Sequence, residues 1–104
     1  MRESTIEEHL VKRVKELGGE VRKVQWIGRR GAPDQLVMLP YPTMDYIDLN
    51  GKLVRGRPGA IWVELKAPGV KPEAYQLREH ERMRKMGQRV VVIDSIEGVE
   101  ELLA

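Results

Sequence analysis

The chain has 104 residues, a length that suits one compact domain over residues 1–104. Charged residues make up 33%, yet 18 Lys and Arg stand against 16 Asp and Glu, so the net charge of +2 excludes a uniformly basic surface. Any anion-binding patch must come from local clustering. There is no cysteine, which excludes disulfides, thiolate zinc sites and cysteine nucleophiles. No apolar run reaches the ~20 residues of a membrane span. With a polar start at Met1–Thr5, these features predict a soluble, cytoplasmic chain with no membrane partner and a thin aliphatic core that has no Phe.

Apolar residues at Ile6, Leu10, Val11, Val14 and Leu17 mark one face of a helix from Ser4 to Leu17. Ser4 and Glu7 have capping-box spacing, and Gly18-Gly19 stops the helix. Val21, Val24, Trp26 and Ile27 predict a short strand over 20–27. The basic glycine loop Gly28-Arg29-Arg30-Gly31-Ala32-Pro33 follows, and Asp34 opens a second strand, Gln35–Leu39. Residues 46–49 and 52–55 flank Asn50-Gly51, a strong hairpin signal. Ala60 to Lys66 alternates as a further strand, and Pro72 is expected at the first position of a helix that runs to about Met86. Val90–Ile93 reads as a strand buried on both faces, and Asp94 as the cap of a closing helix. The predicted fold is α/β, a mixed sheet flanked by helices in the order α-β-β-(hairpin)-β-α-β-α.

Several acids and one lysine fall where burial is expected. On a helical wheel Glu7 lies inside the apolar stripe, where it either closes the box with Ser4 or serves a site. The strand period of two puts Glu64 and Lys66 on one face, ~7 Å apart. Asp34 heads a neighbouring strand, and an Asp and a Glu on adjacent strands can hold a divalent cation between them. Mg²⁺ keeps several waters, so these two carboxylates and the Leu65 backbone carbonyl suffice as protein ligands. Lys66 then stands where it can orient a water activated by the cation.

Pro33-Asp34 and Glu64-Leu65-Lys66 resemble the PD-(D/E)xK nuclease superfamily, and the chain as a whole resembles its VRR-NUC family. The resemblance spans Ile6-Glu7, Gly18-Gly19, Arg29 to Asp34, Glu64 to Gly69, and Gln76. It implies a restriction-endonuclease-like core. Carried over by position, it makes Glu7 the helix-borne acid, reaching the metal through water; Asp34 and Glu64 the metal carboxylates; Lys66 the catalytic lysine; and Gln76 the glutamine beneath the site. Gln76 shares a helix face with His80 and Met83, so its amide either bonds a backbone group or takes part directly.

The resemblance further implies a Mg²⁺- or Mn²⁺-dependent endodeoxyribonuclease acting on branched, Holliday-junction-like DNA in repair, recombination or phage DNA processing, in a bacterial or phage-infected cell. Small members of the family act as homodimers, and the hairpin's Ile47, Leu49, Leu53 and Val54 offer a surface. Arg29 and Arg30, with Lys23 and Arg22 before them, are expected to grip phosphates. Arg78, Arg82 and Lys85 read as a solvated helix face, His9 and His80 as structural, and Trp26, Trp62 and Tyr75 as core or interface. The rival reading is a nucleic-acid-binding module that keeps the fold and does not cut, with salt-sensitive, chelator-insensitive binding. A third is an interaction protein that uses the hairpin.

Overall fold

The computed structural model describes residues 1–104. The elements are α1 (Glu3–Glu16), β1 (Glu20–Lys23), β2 (Gln35–Met38), β3 (Tyr46–Ile47), β4 (Leu53–Val54), β5 (Ala60–Leu65), α2 (Ala74–Lys85), β6 (Val90–Ile93) and α3 (Ile96–Leu103). The main sheet has the order β1-β2-β5-β6 and is antiparallel except between β5 and β6. The expected element order therefore holds. Ile6, Leu10 and Val14 of α1 and Val99 of α3 bury one sheet face over Val37, Ile61, Val63 and Leu65. The opposite face carries Trp62, Glu64 and Lys66 and lies under α2, whose inward residues are Glu79, His80 and Met83. The two faces separate an aliphatic core from a polar layer, and the site lies in the polar one.

The helix starts differ from the predicted ones. No Ser4–Glu7 box forms: α1 begins at Glu3 with Arg2 in the cap position, and Glu7 turns to Gln35 and Lys23 instead. A carboxylate next to an ammonium gains more from that charge than from a backbone amide in solvent. Pro72 precedes α2 rather than opening it. The cap is Glu73, whose N–H donates to Gln76 Oε1 at 2.8 Å. Ser95, not Asp94, caps α3, its Oγ accepting from Gly98 N at 2.9 Å. Asp94 accepts from Gly69 N at 3.3 Å and ties down the loop that follows Lys66.

Strand lengths shift as well. β1 stops at Lys23, and Val24 N donates to Asp34 O at 2.8 Å. The β3–β4 hairpin is a separate two-stranded ribbon with only two residues per strand. Asp48 Oδ1 accepts from both Asn50 N and Lys52 N at 2.9 Å, so a local side-chain turn replaces further ladder. β6 is not buried on both faces. It is an edge strand in which Val90 and Ile93 are buried and Val92 is exposed.

Candidate active site

The register of β2 and β5 pairs Gln35 with Val63, Leu36 with Trp62 and Val37 with Ile61. Continued by one position, it sets Asp34 opposite Glu64 on the α2 face. Continued by two, it sets Pro33 opposite Leu65. Lys66 N and Trp62 N both donate toward β6, so the Leu65 carbonyl turns toward β2. Pro33 has no N–H to give it, and the Pro33 carbonyl is itself taken by Trp26 Nε1 at 2.8 Å. The imino acid ends the ladder and leaves one main-chain oxygen free beside the two carboxylates.

Glu64 is 9% exposed and Asp34 is exposed. Burial pushes the Glu64 carboxyl up to about 7; Lys66 opposes that rise, while the charges of Asp34 and Glu3 add to it. Lys66 Nζ donates to Gln76 Oε1 at 3.0 Å. The same oxygen accepts the Glu73 N–H, so Gln76 both bonds a backbone group and holds the lysine. One side chain thus couples the start of α2 to the end of β5.

Glu7 meets Gln35, the residue after Asp34. Its carboxylate sits 3.2 Å from Gln35 Nε2 and 3.4 Å from Lys23 Nζ, and Gln35 faces the aliphatic side of the sheet. Glu3, one helical turn earlier on α1, adds to the rise of the Glu64 pKa. No three carboxylate or imidazole groups converge as a ready-made metal cluster. None of the four surface concavities is lined by Asp34, Glu64, Lys66 or Gln76. The acids lie at an open end of the sheet. Two carboxylates and a free carbonyl still fit Mg²⁺ or Mn²⁺, hard ions that retain waters.

The basic loop is clamped to α2. Arg29 Nε lies 3.4 Å from Glu79 Oε2, a carboxylate with only 7% of its side chain exposed. The Arg30 guanidinium stacks 3.9 Å above the Tyr75 ring. Gly31 has φ +88° and packs so closely that a Cβ there would lie 2.9 Å from the Tyr75 carbonyl. Lys23 and Arg29 therefore carry protein partners, and Arg30 presents its edge to solvent. Trp26 and Trp62 pack with ring centroids 5.1 Å apart, in keeping with a structural role.

Three contributors escape sequence reasoning. His80 is fully buried beside the Gly31 backbone, with Nε2 3.6 Å from Glu64 Oε1, and neither ring nitrogen makes a well-formed hydrogen bond. Burial lowers its pKa, Arg84 and Lys66 repel its protonated form, and the Gly31 backbone and Glu79 partly oppose that fall. Glu79 anchors Arg29 and Arg82. Glu3 reads as an ordinary first-turn acid. Only the shared wheel face of Gln76, His80 and Met83 hinted at the buried imidazole.

A helix-flanked mixed sheet with opposed acids on two central strands and a lysine two residues beyond one of them is the architecture of a PD-(D/E)xK nuclease. A solved structure described as a VRR_NUC domain superposes with a TM-score of 0.71 at 38% identity, covering 97% of this chain and 92% of that one. A protein of Acyrthosiphon pisum secondary endosymbiont phage 1, named "Putative nuclease p44", is 47% identical over 95 residues, 91% of this chain and 85% of that protein. No family model matches the chain. The chain belongs to the VRR-NUC family of nucleases, as a small phage-type member.

Proposed function

We propose that the chain, as one nuclease domain over residues 1–104, is a Mg²⁺- or Mn²⁺-dependent DNA endonuclease. The observation that carries this reading is the opposition of Asp34 and Glu64 beside a free Leu65 carbonyl, with Lys66 held by Gln76. Asp34, Glu64 and the Leu65 carbonyl would hold the cation, and Glu7, whose carboxylate reaches Gln35 next to Asp34, would act only through an intervening water. When bound, the cation supplies charge neutralisation at the phosphate and eases deprotonation of water. Lys66 gives one N–H to Gln76 and turns the others to the attacking water and a phosphate oxygen. Hydrolysis joins the water oxygen to phosphorus as the bond to the leaving sugar oxygen breaks, and that oxygen takes up a proton. Lys23, Arg29 and Arg30 contact neighbouring phosphates, Arg30 most directly because its guanidinium has no carboxylate partner.

The preferred substrate in this reading is branched duplex DNA, cut by a homodimer in the cytoplasm during repair, recombination or phage DNA processing. The hairpin supports the dimer, since Ile47, Leu49 and Leu53 are exposed on a ribbon outside the main sheet. No helix is long and apolar enough to cross a membrane. The test is cleavage of linear, flapped and four-way-junction DNA with Mn²⁺, with and without chelator, beside Asp34→Ala and Lys66→Ala. Cutting of a junction that both substitutions and the chelator abolish supports the reading. Cutting that survives them removes the assigned chemistry, and binding without product favours the non-cleaving module.

A further inference from the structure

At the far end of α2 from Gln76, a cleft of about 520 Å³ is bounded by Arg55, Arg84, Gly87, Gln88, Arg89 and Val90. None of these six residues is acidic. The Arg84 guanidinium is fixed by two bonds to the Val90 carbonyl, Nε at 3.2 Å and Nη2 at 2.9 Å, and its remaining nitrogen has only Glu81 at 3.8 Å. Arg55 is set in place by Asp45 at 3.1 Å. Arg89 is exposed and makes no ion pair, and Gln88 is positioned by the indole N–H of Trp62 at 3.2 Å. Three guanidinium groups line one concavity, and of them only Arg89 has no acidic partner. Their forked donors match phosphate oxygens.

The cleft begins at Arg84 on α2, the helix that holds Lys66 through Gln76. Gln88 holds Trp62, which precedes Glu64 by two residues on β5 and so shares its face. Along α2, Arg84 follows Gln76 by eight residues, a rise of ~12 Å. That span equals roughly three to four base-pair rises of 3.4 Å. A duplex with one strand over Lys66 thus brings a second phosphate to the arginines.

We infer that this cleft is a second DNA-phosphate site, which binds a backbone phosphate three to four base pairs from the bond at the acids. The inference rests on the nuclease reading for its spacing and on Arg55, Arg84 and Arg89 for its chemistry. Arg89 is the residue to change, because its side chain is exposed and makes no hydrogen bond or ion pair, while its backbone bond to Trp62 N survives substitution.

The experiment measures anisotropy of a fluorescein-labelled 30-base-pair duplex in EDTA, where no cutting occurs, across a salt series. Arg89→Ala should weaken binding roughly five- to tenfold and reduce the salt slope by about one phosphate. Lys12→Ala, an exposed change on α1, should alter neither. Neutral methylphosphonates placed one at a time should weaken wild-type binding at one position that no longer matters in Arg89→Ala, and Arg89→Ala should raise KM for cutting while kcat holds. An unchanged salt slope in Arg89→Ala, or an equal loss at every phosphate position, overturns the second site even if cutting is normal. A wild-type chain that shows the Arg89-dependent position but never cuts keeps the cleft and removes the nuclease reading.

Discussion

Glu64, buried on β5, faces Asp34 across the β2–β5 ladder at the position where Pro33 ends the pairing. Burial raises the Glu64 carboxyl to about 7, against an ordinary value near 4.5. The folded chain therefore binds a proton that the unfolded chain has released between those values, and folding stability falls as pH rises through that window. The full difference is about 3 kcal/mol, reached above pH 7 and absent below about pH 4.5. Glu64→Gln should remove most of that pH dependence, make the metal-free protein more stable at pH 8 and abolish cutting. Urea titrations at pH 5 and pH 8 measure this; equal pH dependence in both proteins would show that Glu64 ionises without cost.

The same buried charge makes cation binding visible without any substrate. A cation held by Asp34 and Glu64 would bind only the folded state and would stabilise it by about 2.7 kcal/mol at a hundredfold excess over Kd. Mn²⁺ should therefore raise Tm in the wild type and have little effect in Asp34→Ala or Glu64→Gln. Chelator should return the wild-type Tm to its starting value and stop cleavage together. A Tm that ignores Mn²⁺ while cutting proceeds would place the cation elsewhere.

Lys66 and Gln76 share one bond, so their substitutions should separate. Lys66→Ala removes the charge beside Glu64 and should cut the rate at least about a hundredfold, in the range of lost transition-state contacts. Gln76→Ala leaves the lysine in place but loose, and also deletes the acceptor for the Glu73 N–H. It should cost about 1 kcal/mol of stability, as lost caps do, with a smaller fall in kcat. Gln76→Glu keeps an acceptor for both donors and should recover the stability. Rates and urea midpoints on the same preparations resolve the two contributions.

The legible part of this molecule is what depends on local pattern. Period-3.6 spacing marked α1, alternation marked β5, and turn residues and the Val90–Ile93 run marked the rest, so the element order is right. Asn50-Gly51 marked the hairpin, and Pro33-Asp34 with Glu64-Leu65-Lys66 marked the acids that the register brings face to face. What escaped depends on competition between partners. Ser4 lost Glu7 to Gln35 and Lys23, Pro72 yielded the helix start to the Glu73–Gln76 pair, and β6 lies at an edge that no one-dimensional run of valines reveals. Arg29 reads as a free phosphate ligand until Glu79 is seen buried beneath it.

His80 is a fully buried ring whose nitrogens make no well-formed hydrogen bond, with polar support from the Gly31 backbone. Such a group costs stability, and its position 3.6 Å from Glu64 says where the compensation lies. His80→Leu fills the same space without stranded polar atoms and should stabilise the protein by about 1 kcal/mol. Cutting should fall about tenfold, as it does when a partner behind a metal ligand is lost. His80→Ala should destabilise instead, by about 3 kcal/mol, because it opens a cavity. Loss of stability in both variants would mean that the ring is held by bonds the geometry does not contain.

The clamp on the basic loop turns on Gly31. Its φ of +88° disfavours any side chain, and a Cβ would meet the Tyr75 carbonyl at 2.9 Å and the Gln76 Cα at 3.2 Å. Those two residues begin the helix that holds Lys66. Gly31→Ala must therefore lift the loop, tilt the first turn of α2, or both, for a cost of about 1–3 kcal/mol. Arg29→Ala removes only the Glu79 pair and leaves Gly31 seated, so its stability cost should be smaller. If the loop sets the distance between Arg30 and the acids, Gly31→Ala should lower kcat and raise KM together, while Arg29→Ala raises KM alone. Steady-state cleavage of one junction substrate by both variants, at a temperature where each is folded, distinguishes a displaced loop from a lost charge. Equal kinetics for Gly31→Ala and wild type would show that the close approach to Tyr75 has no part in positioning the site.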